Sequence, residues 1–189
     1  MRLILASESP QRKQLLRLLK VPFTVVAADV SEISLEKNPR KLVTALALKK
    51  ARAVAKSHPD ALVLGADTIV VYRGKIITKP KDRKDSARIL GDLNGHVHRV
   101  YTGVALINAE SGRAWKEVAV SKVKARRLSK QDLEKFVGKH MDKAGAYAVQ
   151  DRKDPFIEKI IGPRDNVIGL PLGSVRRLLR KACRRYRNR

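Results

Sequence analysis

Apolar positions along the chain switch between two periods, and the switches mark the elements. Residues 3–6 form a short apolar run. Ser7-Glu8-Ser9-Pro10 interrupts it, and Leu15, Leu16, Leu18 and Leu19 then recur at helical spacing. Strand, turn and helix are predicted, with Ser9 as N-cap and Pro10 at the first helical position, where its missing N–H costs nothing. Residues 23–28 read as a second strand. Leu42, Val43, Leu46, Ala47 and Val54 lie on one face of a long helix over residues 39–57. Residues 61–66 are continuously apolar, as expected of a buried central strand, and the pattern ends that strand at Asp67.

Beyond Asp67, residues 69–72 and 76–77 flank Arg73-Gly74-Lys75 as a hairpin. A helix follows over residues 82–93, closed by Asn94-Gly95. Residues 97–107 and 114–125 alternate as two antiparallel strands around Glu110-Ser111-Gly112. Ser129 and Asp132 make a capping box for a helix through Val137. Residues 146–149 and 156–161 are further strand candidates. Leu172, Val175, Leu179, Ala182 and Tyr186 stripe a basic C-terminal helix over about 172–187. The sum is an α/β protein, a mixed twisted β-sheet flanked by helices, and without a linker it reads as a single domain over residues 1–189.

Composition narrows the classes. With 43% hydrophobic and 32% charged residues, the chain of 189 residues can bury a core, and its longest apolar stretches fall far short of a bilayer span. No membrane contact is expected. The opening Met-Arg-Leu-Ile-Leu-Ala-Ser reads as a first strand rather than a secretory leader, so the expected location is cytoplasmic. Cys183, the single cysteine, excludes an internal disulfide, and no Cys/His cluster has zinc spacing. The 42 Lys+Arg against 18 Asp+Glu give a net charge of +24, which favours phosphate-bearing ligands, either nucleotide or nucleic acid. Aromatic residues are only 4%, so base-stacking platforms are scarce.

Candidate chemistry starts at the first turn. A Ser-rich loop opening a helix presents unpaired N–H groups to an anion, and Ser7, Ser9, Arg12 and Lys13 would add donors; an ordinary capped helix remains the alternative. Asp67 stands where open α/β sheets place ligands, so it could bind Mg²⁺ or polarise water with Thr68 beside it, or it could simply cap a turn. Lys50 and Lys79 cannot be told from solvated cations by pattern alone. Glu32 is a second carboxylate or a solvent-facing one. His96 and His98 lack ligand-spaced companions and read as packed or exposed side chains. No Walker A sequence, dinucleotide glycine fingerprint or nucleophile elbow is present.

The order of short motifs carries more. Leu5-Ala6-Ser7-x-Ser9-Pro10-x-Arg12, Gly65-Ala66-Asp67-Thr68, Lys79-Pro80, Gly95-x-x-His98-x-Val100-x-Thr102-Gly103, Lys143-Ala144-Gly145-x-Tyr147-x-x-Gln150 and Asn166-Val167-Ile168-Gly169-Leu170-Pro171-Leu172 together resemble the Maf family. The resemblance covers roughly residues 1–180. It implies a two-lobed fold around a central cleft, related to inosine triphosphate pyrophosphatases. It also implies metal-dependent cleavage of nucleoside triphosphates to monophosphate and pyrophosphate, in a house-cleaning role. Carried over residue by residue, it makes Asp67 the proton acceptor for the attacking water, and Glu32 with Asp67 the holders of Mg²⁺ or Mn²⁺. Ser7, Arg12, Lys50 and Lys79 become the phosphate-binding residues. Thr68 and Gln150 resemble the dTTP/UTP subgroup. Gln11, at a position associated with base choice, replaces the usual arginine, which a neutral amide cannot reproduce. Gly162-Pro163-Arg164-Asp165 also departs from the common Ser-Tyr pair. A homodimer is implied by the family only. The alternative reading is a basic, nucleic-acid-associated regulatory protein of cell division, since members are linked to division arrest and the charge and basic tail suit polyanions.

Overall fold

The computed structural model describes residues 2–149 and 156–182. In chain order the elements are β1 (Arg2–Leu5), α1 (Pro10–Arg17), β2 (Phe23–Val25), α2 (Pro39–Ala55), β3 (Ala61–Tyr72), β4 (Lys75–Ile77), α3 (Arg83–Leu93), β5 (Val97–Asn108), β6 (Ala114–Ala125), α4 (Lys130–Glu134), β7 (Ile157–Ile161), α5 (Arg164–Ile168) and α6 (Leu172–Ala182). The seven strands form one mixed sheet in the order β2-β1-β3-β5-β6-β7, with β4 paired to β3 off that path. β1 runs parallel to β2 and β3, whereas β3–β4 and β6–β7 are antiparallel. The chain divides into two compact units, and β3, β5 and β6 each contribute residues to both.

Unit 1 comprises Met1–Asp67, Thr102–Ala119 and Gly169–Arg189. Its helix starts are fixed locally: Ser9 Oγ accepts from Arg12 N ahead of Pro10, and Asn38 accepts from Arg40 N and Lys41 N ahead of Pro39. Ile4, Ala6, Ala61, Val63 and Ile107 pack with Ala51 and Val54 of α2. Gly65 and Gly103 fall on that same face, where α2 comes so close that a Cβ would collide with the carbonyl oxygens of Ala47 and Val43 respectively. Side chains alternate along a strand, so residues 61, 63, 65 and 67 share one face, and Asp67 points toward α2. The buried apolar faces of α1 (Leu15, Leu16) and α6 (Val175, Leu178, Leu179) lie outside this cluster.

Unit 2 comprises Thr68–Tyr101 and Val120–Ile168. Ile89, Leu90 and Leu93 of α3 pack with Phe136, Val137, Tyr147 and Phe156. The β3–β4 hairpin closes through Arg73 and Gly74, both at positive φ (47° and 76°), with Tyr72 opposite Lys75. That two-residue left-handed turn matches the strand twist. Asp82 caps α3 and Ser129 caps α4, each accepting from the backbone N–H three residues on. His98 is buried, with its Nε2 2.8 Å from Tyr147 Oη, and burial lowers its pKa to about 4. Of the two readings left open by the sequence, packed or exposed, the structure shows it packed.

Four sequence expectations need correcting. β3 does not stop at Asp67 but continues to Tyr72, because the aspartate has a buried cationic partner and needs no turn to reach water. Residues 146–149 are not a strand: Gly145 and Ala146 both have positive φ (82° and 60°), which breaks extension. α4 stops at Glu134, and Phe136 N and Val137 N instead close i→i+3 turns onto Leu133 O and Glu134 O. β2 ends at Val25, short of residue 28. The C-terminal helix is described only to Ala182, so the expected remainder to about 187 and Cys183 lie outside the described residues.

Candidate functional site

The candidate site is built within unit 1, from the first turn, the loop before α2, α2 itself and β3. On α2 the stripe Val43, Leu46, Ala47, Lys50, Ala51 and Val54 is buried, so Lys50 takes a core position between apolar neighbours. A cation there is costly unless paired. Its Nζ lies 2.6 Å from Asp67 Oδ1 and 2.7 Å from Glu32 Oε1, joining both acids. The environments of the two acids differ. Asp67 is 5% exposed, whereas Glu32 sits in an exposed segment without regular secondary structure. Burial pushes the Asp67 carboxyl above the ordinary carboxylate range; Lys50 and Arg12 oppose that shift and Glu32 adds to it. A carboxyl raised in this way is a better proton acceptor near neutral pH than an exposed aspartate.

Arg12, half-buried on the first turn of α1, forms the second part. Its Nε donates to Gly169 O at 3.0 Å and its Nη1 to Ser7 Oγ at 3.2 Å. Ser9 N also donates to Ser7 Oγ, so that oxygen accepts twice and keeps its own O–H as a donor. Burial lowers the Arg12 pKa against the opposing pull of Asp67 and Glu32, so the guanidinium feels both acids. Gln11 is placed beside it, with Oε1 accepting from Ser9 Oγ at 3.0 Å, which leaves its amide N–H groups as donors. Cations and hydroxyls facing two carboxylates suit a polyphosphate, whose charge is spread over many oxygens.

The structure therefore brings together Ser7, Gln11, Arg12, Glu32, Lys50 and Asp67. Thr68 directly follows Asp67 but is the first residue of unit 2, where it is half-buried; Lys79 is exposed in unit 2 after β4. Gln150 lies outside the described residues. Sequence reasoning gave Gly169 no role, yet its carbonyl holds Arg12. Its φ of 117° is a conformation few side chains tolerate, and its place in the Asn166-to-Leu172 motif was the available signal.

Among the described residues, no group of three or more His, Cys, Asp or Glu side chains is arranged to hold a metal ion. Asp67 and Glu32, which both reach the Lys50 ammonium, are the two carboxylates that would serve Mg²⁺, an ion that commonly takes one or two carboxylates and completes its shell with substrate phosphates and water.

A family model described as Maf-like protein matches residues 2–182. A protein of Elusimicrobium minutum named dTTP/UTP pyrophosphatase is 44% identical over 181 residues, covering 96% of this chain and 98% of that one. A protein of the same name from Symbiobacterium thermophilum is 46% identical over 173 residues, covering 90% and 88%. The solved structure of the Staphylococcus aureus Ham1 protein superposes with a TM-score of 0.51 at 13% identity, over 89% of this chain and 94% of that one, a likeness of fold alone. Among the described residues, no helix is long and apolar enough to cross a membrane.

Proposed function

The chain belongs to the Maf-like family, and from that premise we propose that it is a nucleoside triphosphate pyrophosphatase acting on dTTP and UTP. Hydrolysis between the α and β phosphates yields monophosphate and pyrophosphate and clears unwanted nucleotides from the pool. One observation carries the chemistry: a buried aspartate with a raised pKa, held by Lys50 and facing Arg12. Asp67 accepts the proton of a water attacking the α-phosphorus. The new bond joins the water oxygen to that phosphorus, and the bond to the α–β bridging oxygen breaks. That oxygen leaves as part of pyrophosphate.

Arg12 and the Ser7 hydroxyl neutralise and position the phosphates, a role that the family resemblance assigns to Lys79 as well, and this is most of what phosphoryl transfer requires. Lys50 fixes the carboxylate of Asp67 and adds positive charge where the transition state gains negative charge. Asp67 and Glu32 would hold Mg²⁺ or Mn²⁺. Such an ion supplies Lewis-acid neutralisation of the phosphate oxygens. The family resemblance assigns base choice to Gln11, Thr68 and Gln150; an amide donor on Gln11 suits the carbonyl oxygens of thymine and uracil.

The test is a panel of canonical and modified triphosphates with Mg²⁺, assayed for pyrophosphate against orthophosphate. Pyrophosphate from dTTP and UTP, lost on chelation, is expected. Orthophosphate as the first product would mark an ordinary phosphatase and overturn the reading. The homodimer implied by the family is checked by sedimentation of the same preparation.

A further inference from the structure

Charge is segregated on the helices. α1, α2 and α6, all in unit 1, contain no Asp or Glu, whereas α3, α4 and α5 of unit 2 each carry at least one. The difference shows in the pairing. On α3, Arg88 is held by Asp85 and Asp92 at i,i−3 and i,i+4, and Asp132 of α4 pairs with Lys135 just past the helix end. The long helix α2 has no such compensation. Lys41, Ala45, Lys49, Arg52 and Lys56, spaced by four, four, three and four residues, are exposed along one face. Lys49 donates to Ser31 O, and among the described residues Lys41, Arg52 and Lys56 have no acidic partner. Arg40 and Lys41 occupy the first turn, where the helix dipole disfavours cations and the helix has no acid. Folding alone gives no reason for that arrangement.

We propose that this solvent face of α2 binds the sugar–phosphate backbone of duplex nucleic acid. At 1.5 Å per residue, Lys41 to Lys56 spans roughly 22 Å, the length of about six phosphate steps along one strand at 3.4 Å each. The face carries no aromatic side chain, and its apolar members are Ala45 and the half-buried Leu48. It has nothing to stack on bases, so recognition is of the backbone and carries no sequence preference. It also lacks the large apolar anchors with which an amphipathic helix enters a lipid surface. The face is distinct from the Lys50 side of the same helix, so the proposal does not depend on the enzymatic reading.

The experiment is anisotropy of a labelled 20-base-pair duplex with the full chain, titrated between 50 and 300 mM KCl. Wild type is expected to give a linear fall of log affinity with log salt, independent of base sequence. The triple variant K41Q/R52Q/K56Q should make that slope shallower by roughly 2–3, and Arg52→Gln alone by roughly 0.9, since each lost phosphate contact removes about 0.9. R176Q/R180Q on α6 should change it less than the triple variant does. Melting temperature read beside each titration separates lost contacts from lost fold. No measurable binding at 50 mM salt, an unchanged slope in the α2 variants, or a slope lost instead with the α6 variant overturns the assignment. So does tighter binding to vesicles of anionic phospholipid than to the duplex.

Discussion

Replacing Lys50 by Met keeps the side chain's length and apolar stem and deletes the ammonium that two acids share. The two acids do not contribute equally. The Glu32 side chain is 45% exposed, so water can take over its pairing, and that contact is worth no more than about 1 kcal/mol. The Asp67 side chain is 7% exposed and that of Lys50 10%. Stranding a buried charge costs about 3–5 kcal/mol. For a chain of this size that corresponds to a fall in melting temperature of roughly 6–20 °C. The loss must also depend on pH. Lys50 is the main influence lowering the Asp67 pKa, so its removal moves the native carboxyl further above the unfolded value of 3.8. The folded chain then binds the proton more tightly than the unfolded chain. The penalty is absent below the unfolded pKa, grows as pH rises, and is complete above the raised native pKa. Melting curves from pH 4 to pH 8 for wild type, Lys50→Met, Asp67→Asn and the double variant measure it. The double variant should recover most of the loss at neutral pH. A Lys50→Met penalty under about 1 kcal/mol, or strict additivity of the two changes, would refute the argument that the pair is energetically coupled.

Three other outcomes follow from the structure. Asp67→Asn should abolish most pyrophosphate release in a coupled assay, and because it leaves the buried Lys50 ammonium only the exposed Glu32 as partner it should also cost up to about 3–5 kcal/mol of stability; near-normal turnover in the folded variant would eliminate Asp67 as the base. His98 is held near pKa 4 in the folded chain, against about 6.5 unfolded, so stability fully present above pH 6.5 should drain away as pH falls toward 4. By denaturant titration His98→Gln should remove most of that dependence, on the order of 3 kcal/mol. Gly65→Ala forces a Cβ into the α2 backbone beside Lys50. It is expected to cost at least about 1–3 kcal/mol and to lower turnover together with stability, and a silent substitution would mean that α2 is free to retreat.

Much of the fold was legible because local signals and packing agree. Ser9-Pro10 opens α1 where capping chemistry puts it, and the hairpin at Arg73-Gly74 follows from the only turn that fits between two apolar runs. The errors fall where tertiary partners override local pattern. Asp67 looks like a strand end because a charge in an apolar run normally seeks water, and only Lys50, seventeen residues earlier, removes that need. Residues 146–149 are apolar enough for a strand, but the left-handed backbone at Gly145 and Ala146 is not visible in hydrophobicity. The site divides in the same way. Asp67 could be singled out from its surroundings, whereas Lys50 and Glu32 came from family resemblance because solvated cations and acids have no distinguishing local pattern. Their convergence is a property of the fold, as is the hold of Gly169 on Arg12 across 157 positions of sequence.

The most direct measurement is hydrolysis of dTTP by the wild-type chain with Mg²⁺ in water enriched in oxygen-18, with both products analysed by mass spectrometry. Attack on the α-phosphorus by water activated at Asp67 should place the heavy oxygen in thymidine monophosphate and leave pyrophosphate unlabelled. Label in pyrophosphate or orthophosphate would contradict it, since the water would then have struck a different phosphorus.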